Sequence, residues 1–303
     1  MSIQKLSIVF KEPWRLIASD RLGDLARSVP DELFLKCRYR TLVGEWPNLK
    51  DPVGYMEKLQ WLKLHDRRAI YTQMVDKALA KEFVRQRIGD QYLIPTLGIY
   101  ESFDQIPLEE LPNQFVIKCT HDSAGLVICR DKMSFDPDAA RKKIETCLKR
   151  NFYYTGREWP YKNVKPRIIV EKYMEDPVDG ELRDYKFFTF GGVPKVLYIT
   201  SGRGSGEASA DFFDMEFNHL DLCIDHETAP TPPRKPENFE KMQELATILS
   251  AGTPQLRVDF YEVEGRIYFG EMTFFHCSGF AKFRPNHWNQ LWGSWVKLPE
   301  PNA

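Results

Sequence analysis

Residues 257–273 read RVDFYEVEGRIYFGEMT, two apolar runs separated by Glu264 and Gly265. The runs have strand spacing and the Glu-Gly pair reads as a tight turn, so the stretch predicts a hairpin. Successive strand side chains point to opposite faces, which puts Arg257 and Asp259 on one face of the first strand. Glu271 and Thr273 share a face of the second strand, and a short turn brings the two faces side by side. Charged groups facing one way on otherwise apolar strands are costly to bury without compensation. A divalent cation held by oxygen ligands compensates them. An Arg257 to Asp259 salt bridge on a solvated face, with Glu271 as an edge carboxylate, does so equally, and spacing alone does not choose.

Working outward, DYKFFTFGGVPKVLYITSG (184–202) predicts a second hairpin turning at Gly191 and Gly192, and KPRIIVEKYM (165–174) a strongly apolar strand. YLIPTLGIYES (92–102) and QFVIKCTH (114–121) read as strands forming a hairpin or lying side by side, and LVICR (126–130) as another. FDPDAARKKIETCLKRNFYY (135–154), with Asp138 near its start and Lys149 and Arg150 near its end, reads as a helix, and so does FEKMQELATILSAG (239–252). SGRGSGEASADFF (201–213) reads as a flexible loop and the proline-rich TAPTPPRKPEN (228–238) as an exposed connection. Toward the start, DELFLKCRYRTLVG (31–44) and residues 54–89 carry helical spacing, the latter as a helix pair in which Val75, Leu79 and Phe83 recur at four-residue steps before Gly89. Irregular alternation with clear hairpins indicates an α+β chain with antiparallel or mixed sheets.

The 303 residues, 43% apolar and 28% charged, exclude a disulfide mini-protein and a disordered tail. The formal charge of −1 excludes an overall basic field for nucleic acid. Six separated cysteines with no CxxC pair read as reduced thiols. No run is long and apolar enough to span a membrane and the amino-terminal residues do not make a signal peptide, so a cytoplasmic protein is expected, with any membrane association peripheral and through a partner.

Three further groups carry chemistry. Lys77, Lys118 and Lys186 interrupt apolar stretches, where lysines either snorkel to solvent or meet an anion. Lys118 is followed by His121, Asp122, Ser123, Ala124 and Gly125, a polar turn whose amides can fold over phosphate oxygens although no Walker motif is present. Glu171, Lys172, Tyr173 and Met174 end a buried strand whose backbone groups can meet a heteroaromatic ring, with Asp184 beyond for ribose hydroxyls; an ordinary strand exit reads the same way. His276, Ser278 and Gly279 follow the charged hairpin, placed either to bind a substrate carboxylate or amine or simply as hydrogen-bonded neighbours.

In order along the chain these fragments resemble the ATP-grasp superfamily. KLQWLKLHDRRAIYTQMVDK, YLIPTLGIYESFDQIPLEELPNQFVIKCTH, GREWPYKNVKPRIIVEKYM, DYKFFTF and RVDFYEVEGRIYFGEMTF look more specifically like the TupA-like ATP-grasp family of surface-polysaccharide (teichuronopeptide-type) synthesis, over residues 30–298. The resemblance implies an ATP-grasp fold: a helical, substrate-side region (1–70), a first lobe with phosphate-binding lysines and a lid (71–165), and a second lobe with the adenine hinge and magnesium site (166–303). It implies that Lys77 and Lys118 hold ATP phosphates under a lid of Ser123, Ala124 and Gly125, and that Glu171, Lys172, Tyr173 and Met174 read adenine. Asp184 would take the ribose and Lys186 the phosphates or acyl group. Asp259 and Glu271 match the carboxylates for Mg2+, two ions being expected, with Arg257 beside the transferred phosphoryl and Arg203 a second cation for the acyl phosphate. Thr273 stands where many relatives have Asn, and Asp122 adds a negative charge near the phosphates. Residues 120–126 and 201–211 are the expected lids.

The implied activity is an ATP-dependent carboxylate–amine ligase acting through an acyl phosphate. Its implied substrates are an amino acid or amine and a carboxylate-bearing sugar or glycan, a uronic acid of a cell-surface polymer, with peripheral association to the polysaccharide-synthesis machinery. Trp159, Tyr161, Trp288, Trp292 and Trp295 would stack on sugar rings or belong to the core. A glycosyltransferase is the first alternative, for which no DxD pair is evident and only Asp221 and Asp225 lie nearby. An ATP-grasp-type kinase is the second.

Overall fold

QFVIKCT and RIIVE build the smaller of two main sheets in the computed structural model, which describes residues 12–18, 27–176, 182–202, 209–224 and 226–300. Strands β1 (Thr96–Tyr100), β2 (Phe115–Cys119), β3 (Leu126–Cys129) and β4 (Ile168–Lys172) lie in the order β1-β4-β2-β3 with antiparallel pairing throughout. Alternation decides its two faces. Phe115, Ile117, Cys119, Ile168 and Val170 point into a core closed by Ala140, Ile144 and Cys147 of helix Pro137–Leu148. Lys118 and Glu171, at the intervening positions, therefore face the other way.

β1 and β2 form neither a hairpin nor neighbouring strands, because β4 lies between them. The physical reason is burial: Ile168, Ile169 and Val170 are each fully enclosed and take an inner position, whereas Leu97 and Ile99 of β1 are exposed at the edge. The connecting segment forms short 3-10 turns at Phe103–Gln105 and Leu108–Glu110 instead of a tight hairpin turn.

The larger sheet orders β5 (Asp184–Phe190), β6 (Val193–Ser201), β7 (Ser209–Phe213), β9 (Gln255–Val263) and β10 (Arg266–Thr273) as β10-β9-β5-β6-β7, while β8 (Cys223–Ile224) pairs with β11 (Phe283–Arg284). Both expected hairpins form, and Glu264 and Gly265 both take positive φ in the turn. The expected loop at 201–213 contains β7, with Ala210 and Asp211 fully buried, so that Ser201, Ser209, Ala210 and Asp211 of the expected second lid are sheet, while 203–208 lie outside the described residues. Helix Phe239–Ser250 covers one face, Phe239 lying 5.9 Å from Phe187 ring to ring. Trp292 covers the other against Phe188 at 4.8 Å and is fully buried, a core residue without a surface for a sugar.

Helices Asp31–Leu42, Tyr55–His65, Ile70–Val75 and Leu79–Ile88 make up the helical region. The four-residue repeat Val75, Leu79, Phe83 crosses a break: Asp76 accepts hydrogen bonds from the N–H groups of Ala78 and Leu79 at 2.9 and 3.3 Å, and Leu79 is exposed. Such a carboxylate cap starts a new helix. It leaves Lys77 at the kink instead of inside a helix, its N–H donated to Thr120 O at 3.1 Å.

Candidate active site

The two sheets face each other across a cavity of about 310 Å3. Lys77, Lys118, Ser123, Gly125, Glu171, Asp184, Lys186, Arg257, Asp259 and Glu271 all line it. The structure thus gathers ten of the expected residues from segments scattered over the chain. Ala124, Lys172, Tyr173, Met174, Thr273, His276, Ser278 and Gly279 do not line it, and Arg203 lies outside the described residues.

On the smaller sheet the cations dominate. Lys118 Nζ pairs with Glu171 Oε2 at 2.7 Å, and Lys81 grips the other oxygen of the same carboxylate while donating to Ile94 O at 2.7 Å. Burial alone would raise the Glu171 pKa, but Lys118 and Lys81 outweigh it and hold the carboxyl below its ordinary value. Lys81 is lowered by its own burial, which Glu171 opposes. Sequence reading passed over Lys81, although it lies one helical turn beyond Lys77 and i,i+4 spacing could have paired them.

Lys77 donates to Asp122 O at 2.6 Å, tying the kink to the polar turn. The Asp122 carboxylate is buried and accepts the Gly125 N–H at 2.8 Å, so it braces its own loop, and Asp122 also lines the cavity. Only Gly fits at 125, since a Cβ there would meet Cys119 Sγ at 2.5 Å. Thr120, His121 and Asp122 are buried, which leaves Ser123 and Ala124 as the exposed tip of the expected first lid.

At the strand end, the Lys172 N–H is donated to Pro95 O at 3.0 Å and the Tyr173 hydroxyl to Glu175 at 2.6 Å. Of the expected hinge, Glu171 alone reaches the cavity. Met74, Ile94, Tyr261 and Met272 add apolar lining that sequence reading did not single out.

The larger sheet carries the carboxylates. Asp259 stands opposite Lys186 on β5 and opposite Glu271 on β10. The second pairing depends on a bulge between Phe269 and Glu271, which shifts the register by one residue and turns Glu271 onto the Asp259 face. Gly270 occupies the bulge, where a Cβ would lie 3.1 Å from Asp259 O and 3.2 Å from the Tyr261 ring. Alternation in the sequence groups Arg257 with Asp259 and Glu271 with Thr273 within each strand; the bulge that brings the two groups onto one face is invisible to it.

Arg257 links the group, giving Nε to Asp259 Oδ1 at 2.7 Å and Nη2 to Asp259 Oδ2 and Glu271 Oε1 at 2.8 Å each. Lys186 Nζ meets Asp259 Oδ2 at 2.6 Å and Asp184 Oδ2 at 3.1 Å. The salt-bridge reading of Arg257 and Asp259 is therefore realised, though buried instead of solvated. Burial would raise Asp259, yet Arg257 and Lys186 hold it below the usual carboxylate range. Burial would likewise lower Arg257, and Asp259 and Glu271 keep it fully protonated.

Asp259 and Glu271 are adjacent hard oxygen donors, and the Thr273 hydroxyl donates to Glu271 Oε1 at 3.3 Å. Among the described residues no set of three or more His, Cys, Asp or Glu side chains gathers for a metal. The pair suits a cation that takes one or two carboxylates and completes its shell with phosphate and water, as Mg2+ does.

Behind Arg257, His276 Nδ1 accepts from Nη1 at 3.0 Å, which assigns the ring proton to Nε2. Burial, with Arg257 adding to it, pushes His276 well below the usual imidazole range. Cys277 and Ser278 follow with φ of 49° and 50°. Left-handed backbone at a non-glycine residue costs roughly 1–2 kcal/mol. Lys63 Nζ holds the turn by donating to Ser278 O and Gly156 O at 2.7 Å each, and Ser278 Oγ donates to Glu158. Burial pushes Lys63 down to about 7, against the pull of Glu158.

Fold and site together define an α+β protein whose lysine-bearing sheet is set against paired carboxylates across one cavity. The profile of the TupA-like ATPgrasp family matches residues 57–297, and the chain belongs to that family. No curated protein matches it. Similar solved structures include D-alanine–D-alanine ligase from Bacillus anthracis, 14% identical over 66% of this chain and 56% of that one, TM-score 0.39. The Helicobacter pylori enzyme of the same name is 14% identical over 66% and 54%, TM-score 0.37. An ADP complex of N5-carboxyaminoimidazole ribonucleotide synthetase is 16% identical over 72% and 50%, TM-score 0.38. The chain spans about half the length of these proteins, and its assignment rests on the family profile. No described helix is long and apolar enough to cross a membrane.

Proposed function

We propose that this chain is an ATP-dependent carboxylate–amine ligase that works through an acyl phosphate and joins an amino acid or amine to the carboxylate of a sugar or glycan. The uronic-acid acceptor and the setting, cytoplasmic synthesis of a cell-surface polymer in peripheral contact with its machinery, come from the family alone. One observation carries the reading: a single cavity has surplus positive charge on one wall and surplus carboxylate on the other. A nucleoside triphosphate with its counter-ions is the ligand that complements both.

In this reading residues 71–165 supply Lys77, Lys81 and Lys118 to the phosphate tail, and Ser123 and Ala124 close over it. Residues 166–303 supply Asp184 for the ribose and Arg257 and Lys186 for the transferred phosphoryl. Asp259 and Glu271, with the Thr273 hydroxyl beside them, would hold Mg2+, which when bound supplies charge neutralisation for in-line displacement. The substrate carboxylate oxygen attacks the γ-phosphorus, the bond from that phosphorus to the β-bridging oxygen breaks, and ADP leaves. The amine nitrogen then attacks the acyl carbon, the carbon–oxygen bond to phosphate breaks, and the amine gives up a proton. Arg257 is suited to the first step because two carboxylates keep it charged, and fixed cations stabilise developing oxyanion charge without reorganising.

The test is phosphate release across paired amino acids and uronic acids, repeated with Asp259→Asn. Release that requires both partners and is lost in the variant supports the ligase. Phosphate retained on a single acceptor would instead identify a kinase.

A further inference from the structure

The segment between helix Pro137–Leu148 and β4 belongs to neither main sheet, yet it reaches the cavity. It forms short turns at Tyr153–Gly156 and Trp159–Tyr161, and the second packs on helix Ile70–Val75, whose Met74 and Val75 line the cavity. Tyr161 joins that lining. Its N–H donates to Glu158 O at 3.1 Å and its ring meets the Phe152 ring edge-on at 4.9 Å, so backbone and ring are both fixed. The hydroxyl is not: among the described residues it has no hydrogen-bond partner, and it is not sealed from solvent.

We infer that Tyr161 is a catalytic residue whose hydroxyl donates a hydrogen bond to a non-bridging oxygen of the phosphoryl group in transfer. The inference rests on the phosphoryl-transfer step of the ligase reading and adds a residue to it. Polar groups in folded proteins are paired within the protein, with water or with a ligand, and this one is left open inside a cavity of about 310 Å3. The charged groups that act on the hydroxyl are Glu158, Glu271, Arg257 and Asp122. Arg257 and Glu271 mark the end of the cavity where transfer takes place in that reading, and Asp122 belongs to the loop that Lys77 grips. Burial, with Glu158 and Glu271 adding to it, holds the phenol well above the ordinary tyrosine range against the opposing pull of Arg257. The group therefore keeps its proton and acts as a neutral donor.

Tyr161 and Arg257 are held by one connected set of bonds. Glu158, whose carbonyl fixes the Tyr161 N–H, is buried and accepts from the Ser278 hydroxyl. Ser278 lies in the left-handed turn that presents His276 to the Arg257 guanidinium. Lys63 ties that turn to the Tyr161 segment by donating to both Ser278 O and Gly156 O. Strained backbone of this kind persists where surrounding contacts over-determine it. Transfer spreads charge over three equatorial oxygens of the phosphoryl group. Arg257 and Lys186 approach from the larger sheet, and Tyr161 supplies a donor from a third element, already in place when that charge develops.

Calorimetric titration of the full chain with ADP and Mg2+, with and without aluminium fluoride as a mimic of the phosphoryl group in transfer, tests this on the native protein and on Tyr161→Phe. The substitution keeps the ring against Phe152 and removes only the donor, so the melting temperature is expected to stay at the native value. The native chain is expected to bind ADP more tightly when aluminium fluoride is present. Tyr161→Phe is expected to bind ADP alone as the native chain does and to lose ~10-fold of that gain, the worth of a hydrogen bond to a charged acceptor. An undiminished gain in Tyr161→Phe overturns the inference, and so does an equal loss of affinity for ADP alone, which marks a structural role. The two claims fail separately: a gain that survives in the variant leaves phosphoryl transfer standing without Tyr161, whereas no gain in the native chain contradicts the transfer reading itself and the inference with it.

Discussion

The two walls of the cavity are built from the same kinds of residue in opposite proportion. On the smaller-sheet side Lys118 of β2 and Lys81 of helix Leu79–Ile88 pair with Glu171 and Lys77 donates to Asp122 O, while the Asp122 carboxylate, in the same lining, accepts from its own loop. On the larger sheet Lys186 and Arg257 face Asp184, Asp259 and Glu271. The first wall is incomplete without an anion and the second without a cation. Buried charge left unbalanced is expensive, and each wall lowers that cost by partial internal pairing. The pairing also holds the side chains in place before a ligand arrives.

Asp259→Asn should have the largest effect. It leaves Arg257 and Lys186 buried against a neutral amide, costs about 3–5 kcal/mol of stability by thermal or chemical denaturation, and lowers phosphate release by on the order of 10^3 under conditions where the variant stays folded. Lys118→Ala acts on the other wall and should weaken ATP binding by on the order of 10–100-fold, the worth of a charge-assisted hydrogen bond, while sparing the Arg257–Asp259 pairing. Gly270→Ala sharpens the comparison by moving a wall without changing its charge. Its Cβ meets Asp259 O and the Tyr261 ring, so Glu271 should shift and phosphate release fall by roughly 10-fold, for about 1–3 kcal/mol of strain.

The smallest expected effect is on pH dependence. Folded His276 resists protonation, so below the ordinary imidazole value near 6.5 the unfolded chain takes up a proton that the folded one refuses, and stability falls as pH drops. The slope is at most about 1.4 kcal/mol per pH unit. Glu171, held below 4.5 by its lysines, adds a second loss only at more acid pH. His276→Asn should flatten the first part of a denaturation profile and leave the second.

Much of this was readable from the sequence because strand alternation is a strict rule. It put Arg257 with Asp259 on one face of β9 and Glu271 with Thr273 on one face of β10, and it made Lys118 an interruption in an apolar strand. What escaped was set by longer-range geometry. The β4 insertion between β1 and β2 follows from competition for the buried inner position, which no single segment reveals. The bulge at Gly270 is one residue of register. The helix break at Asp76 and the inward turn of Asp122 are local capping choices that look, in sequence, like continued periodicity and an exposed charge. Lys81 went unnoticed because its partner Glu171 lies far along the chain.

The most direct test is an ATP titration with and without Mg2+ on the native chain, Lys118→Ala and Glu271→Gln. If the walls play complementary parts, Lys118→Ala weakens binding in both conditions and keeps the gain from Mg2+, whereas Glu271→Gln loses that gain. Native affinity in Lys118→Ala, or an undiminished Mg2+ effect in Glu271→Gln, would contradict it.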